Sequence, residues 1–164
     1  MKTHSVLFIV CISTLYFTSC NTKVQRAKQY HDRMVKSAQA VVDRSLDFGD
    51  ALQSYEKNRS TSELQEYRAL VDQTAKQVQE QGRFGDDTVL VHYTLELLAF
   101  YQQSLGNTFQ PFLSLVKENS FSDAERRICD SLIADMTMME NRHWARFDWA
   151  EKKFYYENEL SRAE

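Results

Sequence analysis

Residues that end helices are scarce in this sequence. It contains four glycines and one proline in 164 residues, whereas typical contents are about 7% and 5%. Apolar residues instead recur every three or four positions, which places them on one face of a helix. A chain with this spacing and so few turn residues is predicted to form a few long helices, so the predicted fold class is all-α.

Four segments with helical spacing follow one another. Because short loops join them, they are predicted to pack antiparallel as an up-down-up-down four-helix bundle. At ~1.5 Å of rise per residue, the second helix is much shorter than the first and the fourth. The first turns of the first helix and the last turns of the fourth are therefore predicted to continue beyond the others as a two-helix stalk. The segments cover about residues 24–56, 60–82, 88–116 and 122–160.

Local motifs set the expected helix boundaries. Ser60 and Glu63 are spaced as a capping box for the second helix, and Ser122 and Glu125 are spaced in the same way for the fourth. Pro111 lacks an N–H group and disfavours a helical conformation in the residue before it. The third helix is therefore expected to kink or break at Pro111.

The N-terminal segment has the parts of an export signal. Lys2 supplies a basic start, residues 6–17 are mostly apolar, and Thr18-Ser19-Cys20 follows. The apolar part is shorter than the roughly 20 residues that cross a bilayer, which disfavours a retained membrane helix. The segment resembles the lipobox of bacterial lipoproteins, although Phe17 stands where that pattern usually has an aliphatic residue. The alternative is that Cys20 is incidental and cleavage occurs elsewhere.

The lipobox resemblance implies a location. Residues 1–19 would be a lipoprotein signal peptide, Cys20 would carry the lipid, residues 20–23 would form a short tether, and residues 24–164 would form the bundle. Asn21 is not the aspartate that often signals inner-membrane retention, so the outer membrane of a Gram-negative bacterium is favoured, with its face left open. The expected partners are the membrane, through the lipid on Cys20, and a protein partner or a second copy.

The net charge argues against one class of function, and the cysteine content limits the disulfides that can form. The formal net charge is −3, which argues against a nucleic-acid binder, because such proteins carry a dominant basic patch. If Cys11 leaves with the signal and Cys20 carries lipid, Cys129 has no partner for an internal disulfide. Cys129 is then most simply a buried apolar residue, with a reactive thiol as the alternative.

Two pairs of residues could serve a metal. Glu140 and His143 have the Glu-x-x-His spacing of di-iron helical bundles, and His92 and Glu96 could face each other one turn apart. A dinuclear site needs a second such motif and further glutamates, which are missing, so hydrogen-bonded or solvated side chains are the ordinary explanation. No nucleophile motif, phosphate-binding loop or haem-attachment motif occurs. No catalytic residue and no cofactor is therefore assigned.

His31 lies on the apolar face of the first predicted helix. Without a haem-attachment motif, the simplest interpretation is a partly buried histidine that is satisfied by hydrogen bonds. A carboxylate of the fourth helix is the expected partner.

An aromatic run near the end of the fourth helix allows two interpretations. It fills the core, as aromatic residues at helical spacing usually do, or it forms an exposed apolar groove for a partner, a second copy or the lipid interface. The run consists of Trp144, Phe147, Trp149, Phe154, Tyr155 and Tyr156.

Three short patterns extend the resemblance to the rest of the chain. They are Tyr30-His31-Asp32-Arg33-Met34-Val35, Phe100-Tyr101 and Phe147-x-x-Ala150-Glu151-x-x-Phe154. With these patterns the chain resembles a family of small all-helical bacterial surface lipoproteins, a resemblance that brings no catalytic residues. It implies a membrane-anchored binding or structural module. The alternative function is a metal-dependent or redox enzyme of the di-iron helical-bundle type.

Overall fold

Helices account for nearly all of the described part of the chain. The computed structural model describes the backbone of residues 3–160 and the side chains of residues 23–160. Over these residues it contains no strand, and the predicted all-α four-helix bundle is confirmed. The helices are α1 (Thr3–Gln53), α2 (Lys57–Gln81), α3 (Val89–Ser104), a π-helical turn (Leu105–Phe109), α4 (Gln110–Leu115) and α5 (Asp123–Glu157).

The core of α1 follows an alternating spacing of three and four residues. This spacing keeps one side of the helix turned towards the other helices. α5 runs in the opposite direction, since His31 in the middle of α1 bonds Glu151 near the end of α5, whereas Leu52 at the end of α1 lies beside Cys129 near the start of α5. The buried positions of α1 in this repeat are Ala27, Tyr30, Met34, Ala38, Val41, Ser45, Phe48 and Leu52.

The α2–α3 loop packs against the middle of α1. The Tyr30 hydroxyl donates a hydrogen bond to the Gly82 carbonyl oxygen (2.9 Å), and the Phe84 ring lies 5.5 Å from the Tyr30 ring and 5.7 Å from the Phe154 ring. This loop therefore covers the place where a two-helix stalk was predicted to begin. α1 continues from Tyr30 back to Thr3, whereas α5 ends at Glu157, so over the described residues α5 accompanies α1 only a short way beyond this loop.

The predicted export signal, Cys20 and its lipid lie outside the residues whose side chains are described. The backbone of residues 20–23, predicted to be a tether, belongs to α1. Within the part of the chain that was described, no helix combines the length and the apolar character that a membrane crossing requires.

The capping box predicted at Ser60 and Glu63 is wrong. α2 begins at Lys57, one turn earlier, and Ser60 is fully buried and donates a hydrogen bond to the Ala51 carbonyl oxygen (3.0 Å). The first N–H groups of α2 are satisfied by the loop before α5. The Lys57 N–H donates to the Asn119 carbonyl oxygen (2.6 Å), and the Asn58 N–H donates to the Asn119 side chain (3.0 Å). A partner distant in sequence replaces the local cap.

The capping box at Ser122 and Glu125 is confirmed. The Ser122 hydroxyl accepts from the Glu125 N–H, and the Glu125 carboxylate accepts from the Ser122 N–H (2.8 Å). Hydrogen bonds that the Ser122 hydroxyl (2.7 Å) and the Ser122 N–H donate to the Glu125 carboxylate hold the pKa of this carboxyl below its usual range. The negative charge at the N-terminus of α5 also opposes the positive end of the helix dipole.

The interruption predicted at Pro111 takes the form of a π-helical turn. The Gln110 N–H donates to the carbonyl oxygen of Leu105, five residues earlier, and α4 then continues through Pro111 to Leu115. Such a turn inserts one extra residue and shifts the helical register. Phe109 and Phe112 both reach the core across this shift.

Replacing Gly49 with alanine is expected to stabilise the folded protein. It lies inside α1, and no atom outside its immediate helical neighbourhood lies within 4 Å of the position that a Cβ would occupy. Gly49→Ala should therefore raise the free energy of unfolding by about 1 kcal/mol, the usual difference between the two residues in a helix.

Denaturant unfolding followed by circular dichroism measures this change. Gly82→Ala is the matched control and should be destabilising, because Gly82 has a φ of +63°. Equal effects of the two substitutions would contradict the prediction.

Candidate functional site

The Glu140-x-x-His143 motif does not converge on one point. Glu140 accepts hydrogen bonds from Tyr101 and from Ser45 inside the bundle. His143 instead stacks on Phe100, with ring centroids 4.8 Å apart. Three residues of separation place both side chains on one side of α5, but they contact different neighbours.

Glu96 lies between the two candidate histidines. Its Oε1 atom is 3.5 Å from His143 Nδ1, and its Oε2 atom is 3.9 Å from His92 Nε2. The Arg146 guanidinium also donates to Glu96 Oε1, and its positive charge would repel a metal ion there. Among the described residues, no group of three or more His, Cys, Asp or Glu side chains is arranged to hold a metal ion. The geometry therefore gives the metal-dependent alternative no support.

A polar cluster occupies the centre of the bundle, and each of α1, α2, α3 and α5 contributes one side chain. We call this cluster, formed by Ser45, Tyr67, Tyr101 and Glu140, the central polar layer. Glu140 Oε1 accepts a hydrogen bond from the Ser45 hydroxyl (2.8 Å) and a second one from the Tyr101 hydroxyl. The Tyr67 hydroxyl approaches Ser45 and Tyr101 but makes no well-formed hydrogen bond with any described residue.

Both tyrosines of this layer remain protonated at neutral pH. Burial raises the pKa of Tyr101 well above its usual value of 10.0, and the neighbouring Tyr67 and Glu140 add to that shift. Burial also raises the pKa of Tyr67, with a further contribution from the charge of Glu140. The Tyr101 hydroxyl is thus a permanent donor to the carboxylate.

A crevice between α1 and α5 adjoins the central polar layer. It encloses about 210 Å³. Its polar lining consists of Ser45 and Glu140 from that layer together with Asp50, Gln53 and Thr137, and Gly49 lines it without a side chain. We call this feature the α1–α5 crevice. Its walls are mainly apolar and include Phe48, Leu52, Phe109, Ile133 and Met136.

Sequence reasoning missed the central polar layer, although a usable signal existed. Ser45 completes the three-four spacing between Val41 and Phe48, so it is an inward position occupied by a polar residue. Glu140 likewise occupies an inward position of α5, between Met136 and His143. Polar residues at inward positions of a helical repeat need a partner, which is a reason to search for one.

The six aromatic residues of α5 are divided between the core and the surface. Phe147 and Phe154 are buried, and Trp144 and Tyr155 are half-buried against the core. Trp149 and Tyr156 are 53% and 75% exposed. The core interpretation is therefore correct for four of the residues, and the exposed interpretation holds for the other two.

The exposed aromatic residues belong to a longer stripe on α5. Positions spaced by three, four or seven residues share one side of a helix, and here they face away from the bundle. We call this stripe the α5 outer face. It consists of Met138, Arg142, Ala145, Trp149 and Tyr156, all of which are exposed.

Neighbouring side chains hold Trp149 in place on the α5 outer face. The Tyr93 ring of α3 meets the Trp149 ring edge to face at 5.7 Å, and Lys153 Nζ lies 5.6 Å from the centre of the Trp149 ring. Arg142 contacts the sulfur atoms of Met138 and Met139 at 3.9 and 3.7 Å. This part of the surface is ordered by its own contacts.

The expected environment of His31 is confirmed. His31 Nε2 lies 2.7 Å from Glu151 Oε1 of α5, and His31 Nδ1 lies 3.2 Å from Asp32 Oδ1. Its ring also packs against Phe154 and Tyr155. These contacts join the middle of α1 to the end of α5 and leave no ring nitrogen for a ligand.

Cys129 is a buried thiol, as expected. Its side chain is fully buried, and burial, together with Asp130, raises its pKa to about 11. Since the thiolate is the reactive form, we expect iodoacetamide at pH 8 to label Cys129 slowly in the folded protein and rapidly in urea. Mass spectrometry distinguishes its peptide from those of Cys11 and Cys20. Equal labelling rates in the two conditions would contradict this assignment.

Comparison with known proteins gives no relative. No family model, no curated protein and no solved structure shows significant similarity to this chain.

Proposed function

We propose that this protein is a lipoprotein that is anchored through Cys20 and binds a protein partner through the α5 outer face. The anchor rests on the export signal and on the lipobox resemblance at Thr18-Ser19-Cys20. Several lipid chains, as lipoproteins of this type carry, give stable attachment. The outer membrane is the proposed location, because Asn21 is not the aspartate of inner-membrane retention.

The observation that supports binding is the exposure of Trp149. A tryptophan that is 53% exposed and held by Tyr93 and Lys153 provides a large contact area at little entropic cost. Tryptophan, tyrosine, methionine and arginine are the residues enriched at protein interfaces and among their energetically dominant positions. The α5 outer face brings these four types together on one helix.

The binding proposal is tested by removing the tryptophan ring. Trp149→Ala should leave the circular dichroism spectrum unchanged, because about half of the side chain is already exposed. The same substitution should weaken capture of the partner at least tenfold, since tryptophan anchors contribute about 2 kcal/mol or more to binding. Crosslinking and affinity capture in the native host measure the capture.

Leu115→Ala is the matched control. Leu115 is 77% exposed at the other end of the bundle, so its truncation should not change capture. Analytical ultracentrifugation separates a foreign partner from self-association. A Trp149→Ala protein that captures its partner as well as the wild type does would refute the proposed surface.

The anchor has its own test. Cys20→Ser should prevent both lipid attachment and lipoprotein processing, and the protein should leave the membrane fraction. Metabolic labelling with a radioactive fatty acid follows the lipid, and fractionation follows the protein. Cys129→Ser is the control and should keep the lipid. A Cys20→Ser protein that still carries lipid would contradict the anchor.

A further inference from the structure

The α1–α5 crevice has the size and shape of a small-molecule site. Gly49 lines it without a side chain, and no atom outside its immediate helical neighbourhood lies within 4 Å of the position that its Cβ would occupy. A cavity of about 150 Å³ holds one benzene molecule. By proportion, the 210 Å³ of this crevice accommodate a ligand of about eight non-hydrogen atoms.

The walls of the crevice favour an apolar body. Ile133, Met136 and the exposed Leu46 contribute accessible aliphatic surface, and the buried rings of Phe48 and Phe109, which meet edge to face at 5.1 Å, lie behind it. Transfer of apolar area from water to such walls favours binding.

The charges that line the crevice are all negative. Glu140 and Asp50 line it, whereas no lysine, arginine or histidine does. An anion would therefore be repelled by the two carboxylates, and a neutral molecule would gain no electrostatic attraction from them. The lining is complementary to a cation.

Glu140 has one oxygen available for that cation. Both hydrogen bonds of its carboxylate, from Ser45 and Tyr101, fall on Oε1, and Oε2 accepts none from the described residues. The two donors fix the orientation of the carboxylate before a ligand arrives, which lowers the entropic cost of binding. An ammonium group can donate a charge-assisted N–H hydrogen bond to this oxygen.

We propose that the α1–α5 crevice binds a small organic cation, with an ammonium group at Glu140 and an apolar body against Ile133 and Met136. This site is separate from the α5 outer face and does not depend on the proposed membrane anchor.

Benzylammonium is the probe, because its eight non-hydrogen atoms match the size of the crevice. Benzyl alcohol is its neutral isostere, and benzoate is the anionic counterpart. Calorimetric titration of protein expressed from the full-length sequence should show saturable binding of benzylammonium, at least tenfold weaker binding of benzyl alcohol and no binding of benzoate. Equal affinities for benzylammonium and benzyl alcohol, or no saturable binding of benzylammonium, would overturn the proposal.

Substitutions in the crevice test where the ligand binds. Glu140→Gln keeps the shape of the side chain and should weaken benzylammonium binding at least tenfold, whereas Glu80→Gln on the exposed face of α2 should not. Gly49→Leu fills the crevice and should abolish binding while the protein remains folded, so it tests the site even if Glu140→Gln unfolds. Wild-type affinity in Gly49→Leu would show that the ligand binds elsewhere.

The NMR signals of the methionine methyl groups locate the bound ligand independently of the variants. Benzylammonium should shift the Met136 methyl signal, because Met136 lines the crevice, and should leave the signal of Met34, which is buried elsewhere in the core, unchanged. A shift of Met34 without one of Met136 would refute the assignment.

Discussion

Replacing Tyr101 with phenylalanine is expected to lower the free energy of unfolding by about 1.5–3 kcal/mol, the usual contribution of a hydrogen bond to a charged group. The Tyr101 hydroxyl donates to Glu140 Oε1 within the bundle. Phenylalanine keeps the ring and its packing but removes this donor. Glu140 would then retain only the hydrogen bond from Ser45.

Tyr67→Phe is the matched control for this prediction. Tyr67 is fully buried like Tyr101, and the two rings lie 5.7 Å apart, but its hydroxyl makes no well-formed hydrogen bond with the described residues. Removal of a buried polar group without a partner costs little and can stabilise the protein. We therefore expect a change close to zero or a small gain.

Urea unfolding of both variants at pH 7 compares the two tyrosines directly. The same measurement at higher pH adds a test of the pKa shifts. Because burial raises the folded-state pKa values of both tyrosines above 10.0, the stability they contribute is complete below pH 10 and falls as the pH rises further. Equal destabilisation by Tyr101→Phe and Tyr67→Phe would contradict the hydrogen-bond arrangement.

Replacing Phe154 with alanine is expected to have the largest effect, a loss of about 3–5 kcal/mol. The Phe154 ring is buried where α1, the α2–α3 loop and α5 meet. Its centroid lies 5.4 Å from that of Tyr30 and 5.7 Å from that of Phe84. Its removal leaves a cavity and also loosens the loop that ends α2.

Tyr156→Ala, two residues later on α5, is the control. Tyr156 is 75% exposed, so its truncation should change the free energy of unfolding by less than about 0.5 kcal/mol. Thermal and denaturant unfolding of the two variants measure the difference. A similar loss in both would mean that the division of the aromatic residues between the core and the surface is incorrect.

The position of the aromatic residues in the sequence could not reveal this division. Phe154, Tyr155 and Tyr156 are consecutive, and each step turns the side chain by 100° around the helix, so at most part of the run can face the core. Which part does so depends on how α5 is rotated against α1 and α3. The Glu140-x-x-His143 spacing likewise could not reveal the neighbours of its two side chains: Glu140 contacts Ser45 and Tyr101, whereas His143 stacks on Phe100.

Much of the architecture was determined by the sequence itself. The scarcity of glycine and proline, the three-four spacing of apolar residues and the capping box at Ser122 all depend on composition or on neighbours within a few residues, which a sequence displays directly. The tertiary structure alone decided the rest. Asn119 caps α2 from some 60 residues away, Gly82 accepts from Tyr30, and Ser45, Tyr101 and Glu140 meet in one layer. These contacts arise only after helix rotation and register have been fixed by packing of the whole core.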